Sequence, residues 1–230
     1  MSKTRSQYVA LNTSMGLVYK ILSAVLQFAL RAVFIYTLGV EYAGVSSLFT
    51  SILSMLSLAE LGLGSAITYA LYAPIKSGDT RQIARLMNFY RFTYRLVAAV
   101  VFFGGLCLIP FLNVIVTKVP NVRESLTLLY VLYLLKSASS YLLIYRSALL
   151  TASEKRYVIS LTDCAFLVIR IAVQLVLLFV FRDFLLYLIA EITFSLLRNV
   201  AISRFAKRSQ PLLAQYADEQ LPREEKHGVS

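Results

Sequence analysis

The chain has 230 residues, of which 58% are hydrophobic and 15% charged, with a mean hydropathy of +0.70; a soluble domain is nearer roughly 45–50% apolar and 25% charged. The net charge is +11, but the basic residues cluster in loops between apolar segments, which points to a membrane surface and away from a nucleic-acid groove. Cys107 and Cys164 sit inside apolar segments and the one histidine, His227, lies in a polar tail, so no disulfide, zinc or haem pattern is present and no cofactor or metal is expected.

Residues 1–11 read as a cytoplasmic N-terminus, followed by about six membrane spans. Span 1 covers about 12–37; it carries Lys20 and Arg31 and is too long for a cleaved leader. A short turn, Leu38 to Gly44, leads to span 2 at about 45–72, which has Glu60, Gly62 and Gly64 near its centre. These glycines either weaken the helix beside a carboxylate or allow close packing. Then comes a basic segment from Pro74 to Arg95, with Asp79 or Thr80 as a helix cap. Ile83, Leu86, Met87, Tyr90 and Tyr94 share one face there, and Arg81, Arg85, Asn88 and Arg95 the opposite one. An amphipathic interfacial helix feeding span 3 fits this pattern, as an anionic-lipid contact or as a plain positive-inside anchor.

Span 3, about 96–116, holds a Gly104-Gly105 pair that permits close packing or a bend. Spans 4, 5 and 6 follow at about 126–150, 157–181 and 184–205, and residues 206–230 read as a polar cytoplasmic linker or tail. One side of this layout carries Lys3, Arg5, Lys76, Arg81, Arg85, Arg91, Arg95, Lys155, Arg156, Arg204, Lys207, Arg208, Arg223 and Lys226; the other carries Lys118, Arg123 and Arg182. That asymmetry places both termini in the cytoplasm. Arg146 and Arg198 lie near cytoplasmic ends, where they can snorkel.

Seven charges remain deeper: Lys20, Arg31, Lys136, Arg170, Glu60, Asp163 and Glu191. Facing lipid, each would cost roughly 2.5–3.5 kcal/mol, on the order of 20 kcal/mol together. Helical spacing groups them with other polar residues: Lys20, Gln27 and Arg31 on span 1; Ser46, Thr50, Ser54, Ser57 and Glu60 on span 2; Tyr133 and Lys136 on span 4; Asp163, Arg170 and Gln174 on span 5; Tyr187, Glu191 and Arg198 on span 6. Such stripes predict a bundle around a hydrophilic cavity, with the apolar span 3 outside it. The competing reading is that the charges pair as structural links between helices. With four cations against three carboxylates, the cavity suits an anion, including one that carries phosphate. The expected cavity residues are Lys20, Gln27, Arg31, Glu60, Lys136, Arg170, Gln174 and Glu191, and the candidates for ion coupling are Glu60 and Asp163.

Several runs resemble one protein family: Phe28 to Gly44 with Arg31, Phe34, Gly39 and Glu41; Ser47-Leu48-Phe49; Leu58 to Ile67 with Glu60, Gly62 and Gly64; and Leu71, Tyr72 and Pro74. Ser140-Tyr141, Tyr145-Arg146 and Tyr187-Leu188 are weaker echoes. The family is the bacterial polysaccharide flippases of the multidrug/oligosaccharidyl-lipid/polysaccharide exporter superfamily. The resemblance implies an all-α membrane protein, here a six-transmembrane-helix bundle like one lobe of a two-lobed MATE-like exporter. It also implies translocation of oligosaccharide repeat units linked to undecaprenyl pyrophosphate across the bacterial cytoplasmic membrane, by alternating access. Membrane lipids and a C-terminal lobe or a second copy of the chain are the implied partners. Arg31 and Glu60 fall on matching blocks, while Lys20, Lys136 and Arg170 come from periodicity alone. A drug/cation antiporter lobe, a membrane-embedded glycan or phospholipid enzyme and an inactive truncated fragment are the rival expectations.

Overall fold

A computed structural model of the chain describes residues 5–56, 62–112, 116 and 122–209. The described residues are helical, with no strand: α1 (Arg5–Leu38), α2 (Val40–Leu56), α3 (Leu63–Ser77), α4 (Thr80–Cys107) with a 3-10 turn at Ile109–Phe111, α5 (Leu126–Ala152), α6 (Arg156–Val180) and α7 (Phe184–Ser209). Five segments are long and apolar enough to cross a membrane: Val9–Leu38, Thr80–Phe111, Leu126–Ala152, Arg156–Val180 and Phe184–Arg208. This is the make-up of a multi-pass membrane protein.

The segment expected to form span 2 is divided. α2 is described over 17 residues, up to Leu56. α3 starts only after Gly62, which has φ 96°, a left-handed value that glycine adopts at little cost and that a right-handed helix cannot continue through. Residues 57–61, including Glu60, lie outside the described residues.

α4 runs unbroken from the basic segment into span 3, capped by Asp79, whose carboxylate accepts the Gln82 amide at 2.9 Å. Its predicted apolar face, Ile83, Leu86, Met87, Tyr90 and Tyr94, is buried. The helix packs mainly on α5, and also on α3 and α2. The face that the sequence analysis lays on the membrane surface is thus inside the protein, and Arg81, Arg91 and Arg95 are exposed on the other side. At Gly105 α4 comes close enough to α5 for its carbonyl to accept the Tyr130 hydroxyl at 3.0 Å.

The most extensive of the remaining contacts join α1 to α6, and α5 and α6 to α7. Two groups of contacts mark the ends of the bundle. At one end Asn12 bridges the α5–α6 turn, donating to the Glu154 carbonyl at 2.9 Å and accepting from the Tyr157 amide at 2.7 Å. At the other, the Tyr42 hydroxyl donates to Glu124 at 2.8 Å and accepts the Arg123 amide at 3.1 Å. The Tyr42 ring also lies 5.0 Å from that of Phe184, at the start of α7. Apolar side chains such as Phe28, Phe103, Val176 and Phe179 point outward, each more than half exposed. In water that surface would drive aggregation; against acyl chains it costs nothing.

Candidate functional site

The α6–α7 hairpin sets the frame. On α6, Asp163 and Arg170 are seven residues apart, as are Glu191 and Arg198 on α7, so each pair shares a face two turns apart, about 10.5 Å along the axis. The antiparallel register brings Arg198 Nε to 2.6 Å from Asp163 Oδ1 and Arg170 Nη1 to 3.3 Å from Glu191 Oε1. The two rungs carry opposite sign order: the carboxylate is on α6 in one and on α7 in the other. One turn beyond, Gln174 Nε2 donates to the Tyr187 carbonyl at 3.5 Å.

Lys136 on α5 completes the second rung. Its Nζ donates to the same Glu191 oxygen at 2.7 Å and lies 5.6 Å from the Tyr133 ring centroid. Tyr133 in turn donates to Ser46 on α2 at 2.6 Å. From α1, Arg31 Nη2 donates to the Ala43 carbonyl at 2.9 Å and to Ser47 at 2.7 Å, with its guanidinium carbon 5.7 Å from the Phe34 ring. Gln27, one turn away, donates to Ser23.

These side chains line an open-sided pocket of about 170 Å³ formed by Gln27, Leu30 and Arg31 of α1, Ser46 and Thr50 of α2, Tyr133 and Lys136 of α5, Arg170 of α6, and Tyr187 and Glu191 of α7. That volume holds several waters or a phosphate-sized group. Three cations face one carboxylate, so the pocket is positive. A second pocket of about 170 Å³ adjoins it at Arg170 and is bounded by Tyr19, Asp163, Ser195 and Arg198. A third, of about 690 Å³, shares Asp163 and Arg198 and continues between α3, α5, α6 and α7 to Thr151 and Arg156, beside the α5–α6 turn. α4 contributes to none of the three.

Of the residues expected in a cavity, Gln27, Arg31, Lys136, Arg170 and Glu191 share the first pocket. Gln174 lies next to it, fully buried, with its Oε1 unpartnered. Lys20 is exposed on α1 and lines none of the three pockets. Asp163, a candidate for ion coupling, is held by Arg198 at the boundary between the second and third pockets. Glu60 falls outside the described residues. Arg198, near a cytoplasmic end and on the polar stripe of span 6, bonds Asp163, and Arg146 bonds Ser203 and the Tyr145 hydroxyl. The signal for Arg198 was available, since seven-residue charge spacings of opposite order flank the Arg182-Asp183 turn.

Among the described residues, no three His, Cys, Asp or Glu side chains are grouped to hold a metal ion. Fold and site together define a class: an all-helical chain of the multi-pass membrane type, with a positively charged polar pocket between its helices. No family model, curated protein or solved structure matches the chain.

Proposed function

We propose that this protein is a transporter lobe that moves an anionic, pyrophosphate-bearing lipid, namely an undecaprenyl-pyrophosphate-linked oligosaccharide repeat unit, across the bacterial cytoplasmic membrane for surface polysaccharide synthesis. The observation that carries the reading is the first pocket: Arg31, Lys136 and Arg170 line it with the single carboxylate of Glu191, on helices most of which are long and apolar enough to cross a membrane. Three cations that share one carboxylate within a membrane-type bundle are costly unless they serve an anion or an ion pathway, and arginine forks suit phosphate oxygens. The residue runs around Arg31 and Gly62 that resemble polysaccharide flippases supply the substrate class.

In this reading α2 and α3 together form the sixth span, both termini are cytoplasmic, and a second lobe or a second copy of the chain closes the pathway. Transport is favoured over enzymatic chemistry because the carboxylates of Asp163 and Glu191 are each held by cations rather than paired with a nucleophile or a metal set. The same pairing favours an anion over the cationic substrates of a drug antiporter.

The test is genetic and biochemical. Arg31→Ala at the native locus is expected to lower surface glycan several-fold and to leave lipid-linked repeat units on the cytoplasmic side, with membrane abundance of the protein unchanged. Arg31→Lys is expected to recover only part of the export, since lysine loses the forked contact. Normal surface glycan in the Arg31→Ala strain would remove Arg31 from the site.

A further inference from the structure

We propose that Arg91 and Arg95, on the outward face of α4, hold the phosphate of one anionic phospholipid. The site is separate from the polar pocket, since α4 contributes to none of the three pockets. Arg91, Phe92, Arg95 and Leu96 are all exposed, and at helical spacing they share one arc of about 140°. The opposite face, with Tyr90, Tyr94, Ala98 and Val101, is buried. Two guanidiniums one turn apart are like charges at neighbouring positions, an unfavourable pairing. α4 carries no acidic residue between Thr80 and Cys107 to offset it. Among the described residues, neither arginine has a hydrogen-bond or ion-pair partner. A bound anion removes that repulsion.

Depth in the membrane selects the anion. The apolar segment that contains α4 ends at Phe111, and about 20 residues of helix cross the hydrocarbon layer. Counted back from Phe111, they reach Phe92. Arg91 is then level with the lipid phosphates, and Arg95 stands one turn inside. Side chains of a helix lean toward its N-terminus, which for α4 is the water side. The long Arg95 stem thus returns its guanidinium to the level of Arg91. Further in, Leu96, Val100 and Phe103 are each more than half exposed and continue the same side of α4 into the acyl layer. Two arginine forks on one phosphate, above an apolar strip that takes the acyl chains, match a phospholipid from headgroup to tail. A zwitterionic lipid brings a cation beside its phosphate, which the arginines repel. An anionic headgroup such as phosphatidylglycerol brings none.

The chain has no tryptophan, so Leu96→Trp places a single fluorophore beside the pair. The full-length protein is reconstituted in vesicles of equal parts phosphatidylcholine and phosphatidylglycerol, with one lipid or the other dibrominated in its acyl chains. Brominated phosphatidylglycerol is expected to quench more strongly, with a preference of roughly fivefold, the equivalent of one basic side chain at an anionic surface. Phe179→Trp, on the apolar surface at the far end of α6, is expected to show no preference. Adding Arg91→Gln/Arg95→Gln to Leu96→Trp should bring the ratio to about one. Equal quenching of the Leu96→Trp protein by the two lipids overturns the proposal. So does a ratio that survives the loss of both arginines, because the preference then belongs to the general positive charge of this end, which includes Lys76 and Arg81. Where the double variant does not insert, Arg95→Gln alone should lose part of the preference, and an unchanged ratio there counts equally against the site.

Discussion

Leu134 is fully buried against Gly105, and a β-carbon added to that glycine would run into its side chain, with Leu134 Cγ only 3.2 Å away. The neighbouring Gly104 has open space around it. The pair that the sequence leaves ambiguous between packing and bending is therefore split: one glycine is required by the α4–α5 contact and the other is not. Gly105→Ala is expected to lower stability by about 1–3 kcal/mol, in the range of overpacked cores, and Gly104→Ala to leave it nearly unchanged. Thermal unfolding of the two variants in the same detergent checks this. Equal midpoints would show that α4 and α5 are not in close contact at Gly105. Arg31 shows a similar division of labour within one side chain: Nη2 ties α1 to the start of α2, while the residue as a whole lines the pocket.

At the scale of elements, the α6–α7 hairpin is held by two ion pairs of opposite polarity. Removing one partner of a buried pair costs about 3–5 kcal/mol. The Asp163–Arg198 pair lies below that range, because the Arg198 side chain is 35% exposed. Asp163→Arg alone should impair folding by setting two cations against each other. Asp163→Arg combined with Arg198→Asp should recover most of the loss, since the neighbouring rung already has that polarity. Membrane abundance and melting temperature of the single and double variants decide it; a double variant no better than the single one would mean that the contact does not set the register.

Much of this level was legible in the sequence, because hydropathy and 3.6-residue periodicity act within one helix. The five long apolar helices and the polar stripes on α1, α5, α6 and α7 are of that kind. The division of span 2 was legible in part: Gly62 and Gly64 mark a weakened helix or a close contact, and apolar residues on both sides do not decide between the two. The destination of the Ile83–Tyr94 face was not legible, because a lipid headgroup layer and a protein neighbour select the same residues. Nor was the partner of Arg198, because Asp163 is on another helix, and one helix's periodicity does not identify what it packs against.

At the scale of the molecule, the outer surface is apolar on α4 and α6, while Lys20, Gln27, Arg31 and Thr50 leave a polar face exposed on α1 and α2. A side so charged cannot meet acyl chains cheaply; under the proposed function it faces a wet cavity that a second lobe or a second copy would close. The two readings of the membrane charges, structural links and cavity lining, then describe the same residues: Lys136, Arg170 and Glu191 cross-link α5, α6 and α7 and also form the wall of a pocket.

The central claim is that this pocket is wet and positive inside the membrane. Thr50, exposed in the pocket wall, is the position to probe, in a background with Cys107 and Cys164 replaced by alanine. Thr50→Cys in native membranes is expected to react with small methanethiosulfonate reagents, and the anionic reagent should react faster than the cationic one once each rate is divided by its rate with a free thiol. Phe28→Cys, on the apolar surface, should react with neither. A Thr50→Cys protein that is inert, or that prefers the cationic reagent, would contradict the account.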